Sequence, residues 1–322
     1  MGAIAHLSAL DPNALSESLN KQGYVADQAL VSTLYLADKL AKPLLIEGEA
    51  GVGKTEIAKC LATAHQRTLV RLQCYEGQDA QHALYDWDYQ RQLLTIQMNN
   101  QTGDTHKADL TESLYSEDFL LKRPLLQAIA SETPVVLLID EVDRADQEFE
   151  ALLLEILSDF QVSIPELGTY RAKSQPLVVL TSNGIRELSD ALRRRCLYHY
   201  IDYPDSNKEC DIIQARLPGI NQTLTEQVVS FVQKLRTAGL RKTPGVAESI
   251  DWASALMAVG AESLYANPAL SESTLSCLVK TRNDLELLKM ENIGFSEMAT
   301  SATDSAPNLS ATKPTSNSGA KH

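Results

Sequence analysis

The stretch Gly48-Glu49-Ala50-Gly51-Val52-Gly53-Lys54-Thr55 has the residue types and spacing that hold a chain of phosphates. Its pattern is G-x-x-x-x-G-K-[ST]. The glycines let the backbone curl until its N–H groups face anionic oxygens. Lys54 is expected to reach the β- and γ-phosphates of ATP, and the Thr55 hydroxyl to bind Mg²⁺. The loop feeds a helix whose first turn carries Glu56 and whose positive end favours an anion. Residues 48–56 are therefore the candidate nucleotide-binding set. A second cluster ends the run Val135-Val136-Leu137-Leu138-Ile139 in two carboxylates, Asp140 and Glu141. Asp140 would help hold Mg²⁺, most simply through water, and Glu141 would polarise an attacking water. The run Leu180-Thr181-Ser182 ends in Asn183, whose amide could lie between that water and the γ-phosphate; an Asn before Gly184 is also a common turn former. Last, Arg193, Arg194 and Arg195 follow Ala191-Leu192. One reading is an arginine finger offered to a neighbouring subunit's ATP, with Arg195 the first choice and Arg194 the second; the other is a solvated basic patch.

Strands and helices must alternate to bring these residues together. Val25, Ala29, Leu30, Leu34 and Ala37 have helical spacing, which Pro43 ends. Leu44 to Ile46, Leu69 to Cys74, Pro134 to Asp140 and Leu177 to Thr181 are apolar runs of strand length. Helices are predicted after the glycine-rich loop, over Phe119 to Ala130 and over Phe149 to Leu157. Val162 to Ala172, with Pro165 and Gly168 inside it, suggests a small hairpin. The alternation implies an α/β fold: a three-layer αβα domain around a parallel central sheet. Residues 1–22 are expected to be a loosely held arm and 23–203 the core. Residues 75–115 form a predicted insert, with a polar loop tip at Asn99 to Asp104. After Tyr203 the pattern turns helical. Thr223-x-x-Glu226 looks like a capping box, and further helices are expected over Ile250 to Leu264 and Ser273 to Met290. Residues 204–293 are thus expected to be a small all-helical domain. The Ser/Thr/Ala-rich tail, 294–322, has too few large apolar groups to order itself.

Composition narrows the partners. The 322 residues are 44% hydrophobic and carry a net charge of −13; nucleic-acid binders usually carry a basic face, and no Lys/Arg-dense stretch appears here except Arg193 to Arg195. Five scattered cysteines and six histidines fit no zinc pattern. The N-terminal residues lack a secretory signal, and the apolar runs are too short to span a bilayer. A cytoplasmic protein, without nucleic acid and without stable membrane insertion, is expected.

Taken together and in order, GEAGVGKT, VVLLIDEVDRA, LTSNG and ALRRRC resemble the MoxR group of AAA+ P-loop ATPases over about residues 23 to 290. LQCYEGQDAQHALYDWDYQRQLL and FEALLLEILSDFQVSIPELGT are most similar to the branch involved in maturing molybdenum-containing carbon monoxide dehydrogenase. The resemblance implies a homo-oligomer, a hexameric ring with ATP between subunits. It also implies a partner with a von Willebrand factor A domain and chaperone-like work on a client metalloenzyme. By the same likeness, the helical domain is a lid and residues 75–115 lie near the ring pore. One departure stands out. The lid arginine of many relatives has no counterpart in Lys242-Thr243-Pro244-Gly245-Val246-Ala247-Glu248, where Arg241 or Lys242 would have to substitute. Two other readings of the motifs are a nucleic-acid motor or clamp-loader-like ATPase and a small-molecule kinase. A scaffold that binds nucleotide without hydrolysis fits less well with Asp140, Glu141 and Asn183 all present.

Overall fold

The computed structural model describes residues 10–79, 81–102 and 114–290. Helices α1 (Pro12–Lys21) and α2 (Gln28–Lys39) lead to β1 (Leu44–Gly48), α3 (Lys54–Ala64) and β2 (Thr68–Gln73). Then come β3 (Tyr85–Trp87), α4 (Tyr89–Thr102), β4 (Leu120–Lys122), α5 (Pro124–Ala130) and β5 (Val135–Asp140). The chain continues through α6 (Gln147–Asp159), β6 (Gln161–Ile164), β7 (Gly168–Arg171), β8 (Leu177–Ser182), α7 (Asp190–Arg195), β9 (Leu197–Ile201) and α8 (Ser206–Arg216). Helices α9 (Gln222–Thr237), α10 (Val246–Ala258), α11 (Pro268–Ser273) and α12 (Arg282–Met290) follow.

The expected α/β architecture with its parallel central sheet is present. Five strands lie in the order β2-β5-β8-β1-β9, every neighbouring pair parallel. Successive residues of a strand face opposite sides, and the two sides bury different helices. Leu45, Leu137, Ile139 and Leu180 pack with Leu125 of α5, Phe149 of α6 and Leu192 of α7. Leu44, Ile46, Val136 and Leu138 pack with Leu19 of α1, Leu34 of α2 and Leu61 of α3. Every residue of β5 and β8 is buried, so both strands read as uninterrupted apolar runs. Their C-terminal ends, with the end of β1, lie along one edge, where an open α/β sheet places its ligand crevice.

Several local expectations are corrected. The N-terminal segment is not loosely held at residues 12–21: α1 is capped by Asp11, whose carboxylate accepts from Asn13 and Ala14, and it buries Leu15 and Leu19. Within the insert, α4 runs as far as Thr102 through the polar stretch expected to be a loop tip; residues 103–113 lie outside the described residues. The helix expected from Phe119 starts at Pro124, which needs no N–H partner at a first-turn position. Leu120–Lys122 before it pairs antiparallel with β3 instead. Strand β9 was not anticipated, because its half-exposed Tyr-His-Tyr centre lacks the apolar run of an inner strand. The hairpin around Gly168 is β6 and β7 in antiparallel register.

The described residues divide into two compact units, 10–219 with 245–250, and 220–244 with 251–290, so α8 falls with the first unit although the helical region was expected to start at 204. In the second unit α9 begins two residues before the expected capping box: Asn221 is the cap, accepting from the Leu224 amide at 2.7 Å. Its core sets Phe231 against Trp252, ring centres 5.2 Å apart, and the indole N–H donates to Thr274 Oγ1 at 2.8 Å. The helix expected over Ser273 to Met290 is split, with α11 ending at Ser273 and α12 beginning at Arg282. Asp284 joins its parts by accepting from the amides of Arg241 and Lys242. Residues 294–322 lie outside the described residues.

Candidate active site

The glycine-rich loop joins β1 to α3 by two left-handed steps, Gly51 at φ +78° and Gly53 at φ +96°, which side chains with a Cβ rarely adopt. Gly51 also meets Gly245, where a Cβ would lie 2.7 Å from the Ala50 carbonyl. The first turn of α10 is held to the loop there: Ala247 N–H donates to the Gly51 carbonyl at 3.2 Å. The segment that lacks an arginine after Pro244 thus contributes Val246, Ala247 and Ile250 to the wall of the cavity beside the loop. Arg241 and Lys242, the candidate substitutes for the lid arginine, are exposed residues of the other unit.

That cavity has a volume of about 370 Å³. Residues Ala50 to Glu56, Asp140, Glu141 and Asn183 all line it. The structure therefore brings together the candidate residues of three separate motifs, from three strand ends. Gly48 and Glu49 are not in the wall; their carbonyls each accept from Lys54 Nζ at 2.6 Å. Lys54 is buried, and burial pulls its ammonium below the ordinary lysine value. Asp143, Glu49, Asp140 and Glu141 oppose that shift. Glu56 lines the cavity, but its carboxylate is engaged by Lys59 and Arg216, both at 3.0 Å. Burial would raise its pKa; these two cations hold it below the usual carboxylate value.

Buried Asp140 is the hub. It accepts from Thr55 Oγ1 at 3.0 Å, from Thr181 Oγ1 at 2.5 Å and from Arg71 at 2.6 Å. Thr181 Oγ1 also accepts from the Glu141 amide at 2.9 Å, so one hydroxyl ties both acids to β8. Glu141 has the left-handed conformation φ 54°, ψ 50°, uncommon for a residue with a Cβ and a frequent mark of functional turns. Its carboxylate pairs with Arg144 at 2.6 Å. A hydroxyl and a carboxylate 3.0 Å apart beside an anion-cradling loop are a hard-oxygen set that suits Mg²⁺. Among the described residues no three His, Cys, Asp or Glu side chains cluster as metal ligands.

Arg193, Arg194 and Arg195 are not brought to this cavity. All three are exposed on the short helix α7. Arg193 faces Glu47 at 3.6 Å. Arg195 donates from Nε to Ser158 Oγ at 3.1 Å and to the Ala191 carbonyl of its own helix at 3.2 Å. Arg194 makes no hydrogen bond or ion pair with the described residues.

Sequence reasoning missed Arg71, Thr181, Asp143 and Arg144. Thr181 carries a legible signal, a hydroxyl at the end of the buried apolar run of β8, whereas Arg71 stands among other polar residues of β2. A second region of the cavity, formed by Tyr24, Val25, His199, Ile201 and Pro204, depends on the unanticipated β9. Burial pushes the Tyr24 phenol up and the His199 imidazole down, so both favour their neutral forms.

Residues 43–196 match the family model described as the AAA domain of the dynein-related subfamily. An uncharacterized protein of Staphylococcus haemolyticus is 24% identical over 67% of this chain and 77% of its own. The gas vesicle ATPase GvpN1 of Halobacterium salinarum is 25% identical over 61% of this chain and 57% of its own. Fidgetin-like protein 1 of Caenorhabditis briggsae is 25% identical over 60% of this chain, but only 28% of its own length is spanned. Over residues 43–196, just under half of the chain, it is therefore similar to AAA domains, and the named ATPases among its relatives make ATP hydrolysis the activity this likeness supports. No helix among the described residues is long and apolar enough to cross a membrane.

Proposed function

We propose that this chain is a MoxR-type AAA+ ATPase that hydrolyses ATP·Mg²⁺ between subunits of a hexameric ring. It uses the cycle to remodel or mature a client metalloenzyme with a von Willebrand factor A domain partner. One observation carries the catalytic part: the glycine-rich loop, Asp140, Glu141 and Asn183 share one cavity wall. In this reading the amides of Ala50 to Lys54 and the Lys54 ammonium bind the phosphates. Thr55, directly, and Asp140, through water, hold Mg²⁺, which when bound neutralises phosphate charge. Glu141 orients water and accepts its proton. Asn183 positions that water against the γ-phosphate.

The arginines support the assembly part. They are exposed and lie off the cavity of their own chain, which is what a group acting on a neighbour's nucleotide requires. Arg195 is the first candidate for the finger and Arg194 the second. The test is capture from cells by tagged Glu141→Gln, which should hold ATP and stay assembled. It should retain a von Willebrand factor A protein and a metalloenzyme, and Lys54→Ala should lose both. Equal recovery from the two variants, or no such partner on either, overturns the maturation reading while leaving the ATPase untouched.

A further inference from the structure

Two loops of the cavity wall come from different strands, and Asp143 is among the side chains that join them. Asp143 lies in the tight turn Val142–Arg144 just after Asp140 and Glu141, and is only 2% exposed. Its Oδ2 accepts from the backbone amide of Asn183 at 3.0 Å and from that of Ile185 at 2.9 Å. The amide between them, on Gly184, donates to Ser182 Oγ at 3.0 Å. Three consecutive amides of the loop after β8 are thus held, two of them by a carboxylate from the loop after β5. At Gly184, with φ +72°, and Ile185, which is 64% exposed, the amides are the anchor; one residue further on, Arg186 holds the loop to the Ala145 carbonyl at 2.7 Å and to Glu150 at 2.5 Å.

A buried carboxylate is costly unless its oxygens are satisfied, and N–H bonds to a charged acceptor are about twice as strong as neutral ones. Among the described residues, the Oδ1 of Asp143 is buried and has no hydrogen-bond partner. A residue chosen only for packing could be apolar here, as its neighbours Val142 and Ala145 are. What the carboxylate adds is a fixed distance between the turn that carries Glu141 and the loop that carries Asn183.

We propose that Asp143 is a positioning residue for hydrolysis: it locks the Asn183 loop to the turn after β5, so that Asn183 and Glu141 act on one water. This rests on the catalytic role given to Asn183 above. Misplacement of a catalytic group by about 1 Å can cost roughly a hundredfold in rate without touching substrate binding. Asp143 therefore acts through Asn183, and its loss should matter only while Asn183 is there to be positioned.

The experiment is a double-mutant cycle of Asp143→Ala and Asn183→Ala, reading kcat, the affinity for ADP and the melting temperature. Asp143→Ala should lower kcat by roughly ten- to a hundredfold with ADP affinity unchanged. In the Asn183→Ala background it should lower kcat by less than about threefold. Asp143→Asn, which keeps an oxygen for the two amides, should recover most of the rate while still showing a several-fold loss. If Asp143→Ala does not fold, the cycle is run with Asp143→Asn, whose smaller loss should likewise vanish beside Asn183→Ala. A loss that multiplies undiminished on Asn183→Ala overturns the proposal, as does an unchanged kcat or a fall in ADP affinity equal to the fall in rate. A normal kcat in Asn183→Ala alone instead removes Asn183 from the mechanism, a separate failure.

Discussion

The strand ends around Asp140 and the short helix bearing the arginines are built differently. Asp140 is buried and held by three side chains from three different elements: Thr55 of α3, Thr181 of β8 and Arg71 of β2. Arg194 and Arg195 are exposed, and the bonds of Arg195 run to one serine hydroxyl and to its own helix. The first arrangement is preorganised within one chain, so its groups need little rearrangement when charge develops on a bound phosphate. The second has charge without geometry. A guanidinium in water does little until another surface fixes it, so the proposed finger would act only on assembly.

Breaking the preorganised half should have the largest effect. Lys54→Ala removes the buried ammonium beside the loop and leaves phosphate charge uncompensated. Losing a buried charge partner costs roughly 2–5 kcal/mol of binding, and turnover goes with it. A nucleotide titration checks this, and unchanged affinity would remove residues 48–56 from phosphate binding.

The exposed half should fail differently. Arg195→Ala is expected to bind ATP normally and to hydrolyse it roughly three to five decades more slowly, because a finger stabilises charge only in the transition state. Mixing it with Lys54→Ala subunits should restore some activity, since an intact loop then meets an intact arginine at some interfaces. If Arg194→Ala shows the loss instead, the finger is Arg194. Should neither do so, or mixing rescue nothing, both arginines are surface charges.

Glu141→Gln sharpens the comparison from within the cavity. The amide keeps the size and loses the ability to accept a proton, so hydrolysis should fall by roughly two to four decades while ATP stays bound. Mixing should not restore the active site of the Glu141→Gln chain, because the defect travels with its own subunit. Near-normal turnover would take Glu141 out of the mechanism.

What was legible in the sequence follows the same division. The inner strands β1, β5 and β8 are buried on both faces, so their apolar runs and terminal polar residues could be read directly. Strand β9 and the pair β3 and β4 were not legible as strands. Tyr198 and Tyr200 are half-exposed, and Leu120–Lys122 pairs with Tyr85–Trp87 far upstream, a contact that no local period encodes. The candidate residues that belong to single motifs could be named from the sequence, and most of them line one cavity. Arg71 and Asp143 were missed because their roles exist only across elements, and neither belongs to a phosphate-binding pattern.

Arg71 gives the smallest expected effect and tests how self-sufficient the preorganised half is. Its guanidinium lies 2.6 Å from Asp140 Oδ2, yet its side chain is 49% exposed and that of Asp140 only 4%. Arg71→Gln would leave a buried carboxylate with two hydroxyl donors and, of its two nearby cations, only the Lys54 ammonium. Water and salt screen the arginine from its open side, so the loss should be only about 1 kcal/mol. For a chain of this size that is a melting temperature lower by about 1–2 °C in the absence of nucleotide. With ATP·Mg²⁺ bound, in a Glu141→Gln background where it persists, positive charge is again close to Asp140. The gap between the parent protein and its Arg71→Gln variant should then shrink. If instead Arg71 serves turnover, Arg71→Gln would lower kcat without moving the melting temperature. Calorimetry with and without ATP·Mg²⁺ separates the two. A gap that persists unchanged at saturating nucleotide would show that Arg71 stabilises the sheet itself, and that the charge balance at Asp140 does not depend on what occupies the cavity.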